Sequence, residues 1–156
     1  MKPICKRDDK KFFVSIIIPV FNAEKYLTRC LQSCLMQTLD NVEIIVIDDA
    51  STDDSPSIIN NYANGYPNKV IPIYFNQNKK QGVARNYGIK MARGDYVFFV
   101  DADDWIEPNT CYELFFAAKS ADADMVGGDY YISSLVKEDL ITLNYNSVDF
   151  SGGGAT

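Results

Sequence analysis

Three nearly continuous apolar runs, each followed by polar or acidic residues, constrain the fold of this chain most strongly. The runs are VSIIIPV, VEIIVI and YVFFV, which begin at Val14, Val42 and Tyr96. A strand with one solvated face alternates apolar and polar residues, whereas an unbroken apolar run is typical of a strand covered on both faces. Segments with the apolar spacing of helices separate these runs. The sequence therefore predicts an α/β fold with a mostly parallel sheet and helices on both faces.

The remaining patterns predict where the individual elements lie. The predicted strands are 14–20, 42–47, 70–75, 96–100, 125–129 and an edge strand at 140–143. The predicted helices are one capped by Asn22, one with Ser55 as its cap and Pro56 in its first turn that runs to about Ala63, one near 83–92 that Gly94 terminates, and one that Pro108 opens.

At 156 residues, the chain is long enough for one domain with a substantial core. We expect a basic amino-terminal arm over residues 1–13 and a single α/β domain over 14–133. Residues 134–156 are expected to hold the edge strand and a flexible end, which closes in SGGGAT. An open sheet edge would also favour a homo-oligomer.

Composition excludes several classes of function. The chain contains no histidine, which removes Ser-His-Asp and Cys-His nucleophiles and histidine-ligated zinc sites. Its net charge of −6 argues against a nucleic-acid partner. No apolar stretch reaches the ~18 residues that a membrane span requires. Cys30 and Cys34 lie one helical turn apart, and we expect them to be reduced core residues.

Polar side chains follow three of the predicted strands, and the carboxyl ends of parallel strands share one edge of a sheet. The first strand end offers Pro19, Phe21 and Asn22, the second offers DDASTDD over 48–54, and a later one offers DADD over 101–104. Each alone is explained as a turn rich in side-chain-to-backbone hydrogen bonds or as a capping acid. Together, acids crowded on one edge repel one another unless a cation or a ligand satisfies them, so we expect a binding site.

The chemistry of these side chains suits a phosphorylated donor. Asp49 can accept a hydrogen bond from the N–H of a pyrimidine, with Phe21 covering the ring. Asp101 can accept from sugar hydroxyls, and Asp103 can bind Mg²⁺ or Mn²⁺ that bridges two phosphates. Basic side chains near the same edge supply positive charge: Lys79, Lys80 and Arg85. For the two lysines, a solvated loop is an equally good explanation.

The segments VSIIIPVFNAEKYLTRCLQSCLMQTLDNVEIIVIDDASTDDS and GVARNYGIKMARGDYVFFVDADDWIEP resemble family 2 glycosyltransferases of the GT-A fold, from about Val14 to Gly128. The resemblance implies an inverting, metal-assisted transfer of a sugar from a nucleoside diphosphate, usually uridine diphosphate, with Mn²⁺ or Mg²⁺. It implies that 14–133 is a nucleotide-sugar-binding domain and that the acceptor is a carbohydrate or lipid-linked glycan. The predicted donor-binding residues are Pro19, Phe21, Asp48, Asp49, Gly82, Arg85, Asn86, Asp101 and Ala102, with Asp103 as the metal ligand.

The chain departs from this family in its later part. Members continue into an acceptor-binding region that carries the catalytic base, and nothing after Gly128 resembles it. We therefore expect a truncated donor-binding portion to which no catalytic base is assigned. A cytoplasmic location is expected, and any membrane association would come through the missing regions.

Two other functions remain open. One is a non-catalytic module for nucleotide-sugar binding or docking. The other is a phosphoryl-transfer domain that uses Asp48 and Asp49. The latter would need acids after the first strand, where Pro19, Val20 and Phe21 stand instead.

Overall fold

The computed structural model describes residues 12–133 and 138–141, with side chains over 12–129. Its elements alternate between strand and helix along most of the chain. In chain order they are β1 (Phe12–Val20), α1 (Glu24–Leu35), β2 (Val42–Asp48), α2 (Ser55–Gly65), β3 (Val70–Tyr74), α3 (Gln81–Met91), β4 (Gly94–Phe99), α4 (Thr110–Ala121), β5 (Tyr130–Ser133) and β6 (Glu138–Ile141).

Four strands form one parallel sheet in the order β3-β2-β1-β4. Strand β1 lies between β2 and β4, and its Ile16 stands in register with Ile44 of β2 and Phe98 of β4. Because all four strands run in the same direction, their carboxyl ends lie on one edge of the sheet. The prediction of a parallel α/β sheet is therefore confirmed.

Helices cover both faces of this sheet. Alternate residues of a strand point to opposite faces, and accordingly Ile16 and Ile18 pack on one side while Ile17 packs on the other. The first side also holds one or more buried residues from each of α1, α2 and α4: Leu27, Leu31, Ile59 and Phe115. The second side holds Ala84 of α3. Since both faces are covered, β1 and β2 need no polar alternation, which explains why their residues are almost all apolar.

One acid is buried in the sheet at the end opposite the strand ends that carry the acidic turns. Glu43 of β2 is 0% exposed and accepts hydrogen bonds from the hydroxyl of Ser15 and the backbone N–H of Arg93. The Arg93 guanidinium donates to its other oxygen through Nε at 2.8 Å and Nη2 at 2.6 Å. This network ties β1 and β2 to the start of β4, so it fixes where β4 enters the sheet.

The structure corrects several predicted boundaries. Residues 125–129 are not a strand; β5 begins at Tyr130 and pairs with β6 in a separate antiparallel sheet. Gly94 does not terminate α3, because α3 ends at Met91 and Gly94 is the first residue of β4. Pro108 precedes the helix by two residues, and α4 begins at Thr110. Strand β1 starts at Phe12, inside the segment that was expected to be an arm.

Other predictions lie wholly or partly outside the described residues. Residues 1–11 of the expected basic arm, residues 142 and 143 of the expected edge strand, and the final SGGGAT belong to this group. Of the cysteines within the described residues, Cys30, Cys34 and Cys111 are buried and free, as expected for core residues. Within the described residues, no helix is long and apolar enough to span a bilayer.

Candidate functional site

The β1–α1 and β2–α2 turns bind each other through side-chain-to-backbone hydrogen bonds. The side-chain oxygen of Asn22 accepts from the backbone N–H of Thr52 at 2.8 Å, and the hydroxyl of Ser51 accepts from the N–H of Asn22 at 2.9 Å. Asn22 therefore does not cap α1, contrary to the prediction; Ala23 occupies the N-cap position. A partner across the turn replaced the local partner that capping would have used.

Ser55 and Asp53 also link the β2–α2 turn to the start of α1. The hydroxyl of Ser55 accepts from the N–H of Ala23 at 3.0 Å, so Ser55 is the first residue of α2 and not its cap. Asp53 accepts from the N–H of Glu24 at 3.0 Å. Partial burial raises the pKa of Asp53, but the hydrogen bonds from Glu24 and Ser55 outweigh this effect and lower the pKa below its ordinary value. Several residues of the β2–α2 turn thus stabilise its contact with the β1–α1 turn.

The two adjacent acids at the end of β2 have different environments. Asp49, which is 3% exposed, accepts from the N–H of Lys79 at 2.7 Å through Oδ1 and from the N–H of Lys80 at 2.8 Å through Oδ2. Asp48 accepts from the N–H of Ser51 at 3.3 Å. Its Oδ1 is buried and has no hydrogen-bond partner among the described residues. Asp49 therefore holds the loop that contains Lys79 and Lys80 through the backbone of these residues.

Asp101, just past the end of β4, is held by two side chains of α3. Its Oδ1 accepts from Arg85 Nη2 at 2.6 Å and from Gln81 Nε2 at 2.9 Å. The Nε of Arg85 is buried and has no partner among the described residues. Arg85, a predicted donor-binding residue, thus pairs with one of the acids, and Gln81 is a contact that was not predicted.

Two further acids follow in the same turn. The side chains of Asp103 and Asp104 are exposed, and the N–H of Asp104 donates to the carbonyl of Asp101 at 3.0 Å. Burial raises the pKa of Asp104, and the negative charges of Asp103 and Asp101 raise it further. The turn therefore carries electrostatic repulsion that a bound cation would relieve.

A cavity of about 400 Å³ joins these turns at the carboxyl end of the sheet. Its lining includes six predicted residues: Pro19, Phe21, Asp49, Asp101, Ala102 and Asp103. It also includes Val20, Asn22, Ala23, Tyr26 and Gln81. The predicted residues Asp48, Gly82, Arg85 and Asn86 are not part of this lining, although Arg85 contacts it through Asp101.

Tyr26 and Gln81 were missed for a common reason. Tyr26 is an exposed apolar residue on α1 and Gln81 is the first residue of α3, and neither belongs to a strand end. Only the packing of the helices on the sheet brings these two side chains to the cavity.

The chain matches the family model described as "Glycosyl transferase family 2" over residues 15–145. Among curated relatives, it is 36% identical over 118 residues to Glycosyltransferase GlyG of Streptococcus pneumoniae serotype 4. That match covers 76% of this chain and 39% of the length of GlyG. The chain therefore spans well under half of this relative.

Solved structures of longer proteins share this fold. The crystal structure of Staphylococcus aureus TarS 1–349 in complex with UDP-GlcNAc has a TM-score of 0.64 and 32% identity, covering 70% of this chain and 32% of TarS 1–349. The mannosyltransferase PcManGT of Pyrobaculum calidifontis, in complex with GDP-Man and Mn²⁺, has a TM-score of 0.56 and 27% identity, covering 67% of this chain and 32% of its own. The family match extends over most of the chain and the shared fold is that of glycosyltransferases, so this chain belongs to glycosyl transferase family 2.

Proposed function

We propose that this chain forms the donor-binding part of an inverting glycosyltransferase that uses a uridine diphosphate sugar and a divalent cation. The observation that carries the proposal is the shared cavity, because Phe21, Asp49 and Asp103 line it from three different turns. Its volume falls in the range of about 300–1,000 Å³ that small-molecule sites occupy. The TarS complex with UDP-GlcNAc supports the choice of a uridine donor.

The nucleoside end of the cavity is the part lined by Pro19, Phe21 and Asp49. Phe21 is 51% exposed, so its ring is free to cover a base. Each oxygen of Asp49 already accepts one backbone N–H, but a carboxylate oxygen has a second lone pair. Asp49 can therefore hold the 79–80 loop and accept the N–H of uracil at the same time.

The diphosphate end of the cavity is the part lined by Asp101 and Asp103. Carboxylate oxygens suit Mg²⁺ and Mn²⁺, which typically bind one or two carboxylates together with substrate phosphates and water. The described residues offer no preformed group of three acidic or cysteine ligands, which fits a cation shared with the donor. Asp103 would hold the cation, and the bound cation would offset the charge that develops on the departing diphosphate.

Arg85 is proposed to orient Asp101, the acid assigned to the sugar, and to donate hydrogen bonds to the phosphates. Its Nη2 fixes Asp101, while the guanidinium keeps further N–H groups for phosphate oxygens. Gly82 and Asn86 are exposed on the same helix and are proposed to lie beside the donor once it is bound. Asp48, which is outside the cavity lining, is proposed to help position Asp49 by holding the turn that follows it through the N–H of Ser51.

The acceptor is proposed to be a hydroxyl of a carbohydrate or a lipid-linked glycan, as in polysaccharide assembly. We assign its deprotonation to a base in the part of the relatives that this chain does not match. A cytoplasmic reaction, at the membrane face when the acceptor is lipid-linked, is the proposed setting.

Calorimetric titration with UDP tests this proposal directly. We expect binding that requires Mn²⁺, is abolished by Asp103→Ala and is unchanged by Asp40→Ala, an exposed acid in the turn before β2. Titration with GDP should give weaker binding, because the proposed site reads a pyrimidine. Absence of UDP binding by a chain whose circular dichroism shows a folded α/β protein would contradict the proposal.

A further inference from the structure

Helix α1 and the turn after it hold the loop that carries the acids. We define the acid loop as residues 100–109, between β4 and α4. The thiol of Cys30 donates to the carbonyl of Asp101 at 3.5 Å, and the hydroxyl of Ser33 accepts from the N–H of Ile106 at 3.2 Å. Gln37 Nε2 donates to the carbonyl of Glu107 at 2.7 Å. Cys30 and Ser33 lie three residues apart on one face of α1. Gln37, in the turn after the helix, continues the line of contacts because its Nε2 also donates to the carbonyl of Ser33 at 3.1 Å.

These hydrogen bonds hold the two ends of the acid loop more directly than its centre. Asp101 is held at one end, and Ile106 and Glu107 are held at the other. The exposed side chains of Asp103 and Asp104 lie in between. Three carboxylates within four consecutive residues repel one another at close range, so the centre of the loop needs support of its own.

Arg29 supplies a contact at this central part. Its guanidinium carbon lies 3.2 Å from the centroid of the Trp105 ring, and Trp105 follows Asp104 directly. A guanidinium over a tryptophan face is an attractive cation–π contact, because the ring face carries partial negative charge. Arg29 stands next to Cys30, so the stacking contact belongs to the same helix as the hydrogen-bond line.

We propose that Arg29 is a positioning residue for the cation site: by stacking on Trp105 it sets the place of Asp103. This inference rests on the proposed function for the identity of the ligand, Mn²⁺ with UDP. It adds a residue that is not in the cavity lining and that acts only through the loop. The stack itself needs no ligand and can be observed without one.

Trp105 makes the test direct, since it is the single tryptophan of the chain. Its emission and its quenching by acrylamide report on the stack in the absence of ligand. A titration with Mn²⁺ in the presence of UDP, followed by quenching of the same emission, gives the affinity for the cation. The variants are Arg29→Ala and Arg29→Lys, and the matched control is Lys119→Ala. Lys119 stacks on Tyr96 at 5.1 Å and lies on α4 outside the acid loop.

We expect Arg29→Ala to make Trp105 more accessible to acrylamide and to weaken Mn²⁺ binding about tenfold, as loss of support for a metal ligand does elsewhere. Arg29→Lys should restore part of both effects, and Lys119→Ala should change neither. A change in Trp105 accessibility with unchanged Mn²⁺ affinity would overturn the positioning role, and unchanged accessibility would overturn the stack. If the unmodified chain binds neither Mn²⁺ nor UDP, the proposed function fails and the inference fails with it.

Discussion

Replacing Asp49 separates two roles that the structure gives to one carboxylate. The side chain accepts the backbone N–H groups of Lys79 and Lys80, and it lines the cavity. Lys80 has a φ of 74°, a left-handed conformation that costs free energy for a residue with a side chain. The two hydrogen bonds from the loop to this carboxylate offset the free-energy cost of that conformation. The two variants to compare are Asp49→Ala and Asp49→Asn.

The expected loss of stability follows from these two hydrogen bonds. A hydrogen bond to a charged group contributes about 1.5–3 kcal/mol, and two bonds to one carboxylate are not additive. Asp49→Ala should therefore lower the free energy of unfolding by about 3 kcal/mol. Asp49→Asn keeps one acceptor oxygen but faces the other N–H with an amide donor. We expect it to lose about half as much, measured by urea denaturation.

The base-reading role has its own measurement. The N3 atom of uracil donates a hydrogen bond, whereas N3 of cytosine accepts one. A site that holds an acceptor in this place rejects the analogue that lacks the donor. The unmodified chain should thus prefer UDP to CDP in calorimetric titration with Mn²⁺, and Asp49→Asn should reduce this preference by about tenfold, or 1.4 kcal/mol.

The two readouts can fail separately. An unfolding free energy of Asp49→Ala equal to that of the unmodified chain would show that the carboxylate does not stabilise the loop. Equal losses of UDP and CDP affinity in Asp49→Asn would show that Asp49 organises the loop without reading the base.

Three further predictions concern the framework of the site. Arg93→Ala leaves Glu43 buried without its guanidinium partner and should lower the free energy of unfolding by about 3 kcal/mol in urea denaturation. Arg93→Lys should lower it by less. An Arg93→Ala variant as stable as the unmodified chain would contradict the role of the network. In Gly88→Ala, the added Cβ would lie 2.5 Å from Cγ2 of Ile17. The free energy of unfolding should therefore fall by about 1–3 kcal/mol in the same assay. A variant more stable than the unmodified chain would refute the close packing of α3 on the sheet. The lowered pKa of Asp53 stabilises the fold at pH values above 3.8, its ordinary pKa, and this stabilisation is lost as the pH falls through the folded-state pKa. The melting temperature of Asp53→Asn should therefore fall less steeply with decreasing pH below about pH 4 than that of the unmodified chain. An equally steep fall would show that Asp53 does not contribute to the acid sensitivity of the fold.

Local pattern was sufficient for the sheet and for the general location of the site. Residues such as Ile16 and Ile44 belong to unbroken apolar runs, and such runs are stable where both faces are covered. Once the strands are parallel, their carboxyl ends must share an edge. The placement of Asp49 and Asp103 in one cavity follows from that geometry and was predicted without coordinates.

Local pattern was misleading where a distant partner competed with a near one. Asn22 and Ser55 have the side chains of helix caps, but each accepts a hydrogen bond from the other turn. Residues 125–129 were predicted to form a strand, yet they do not pair with the sheet. Propensity describes what a segment can do alone, and tertiary partners decide among the alternatives.

The amino-acid sequence by itself determined the order of elements, the parallel sheet and the acids at its edge, because hydrophobic periodicity and chain direction are local properties. Only the tertiary structure decided which of those acids line the cavity and which groups hold each of them in place. Arg85 reaches Asp101 and Arg29 reaches Trp105 across packed elements. Such pairs depend on the distances between helices and strands, and these distances are set by how the whole core packs.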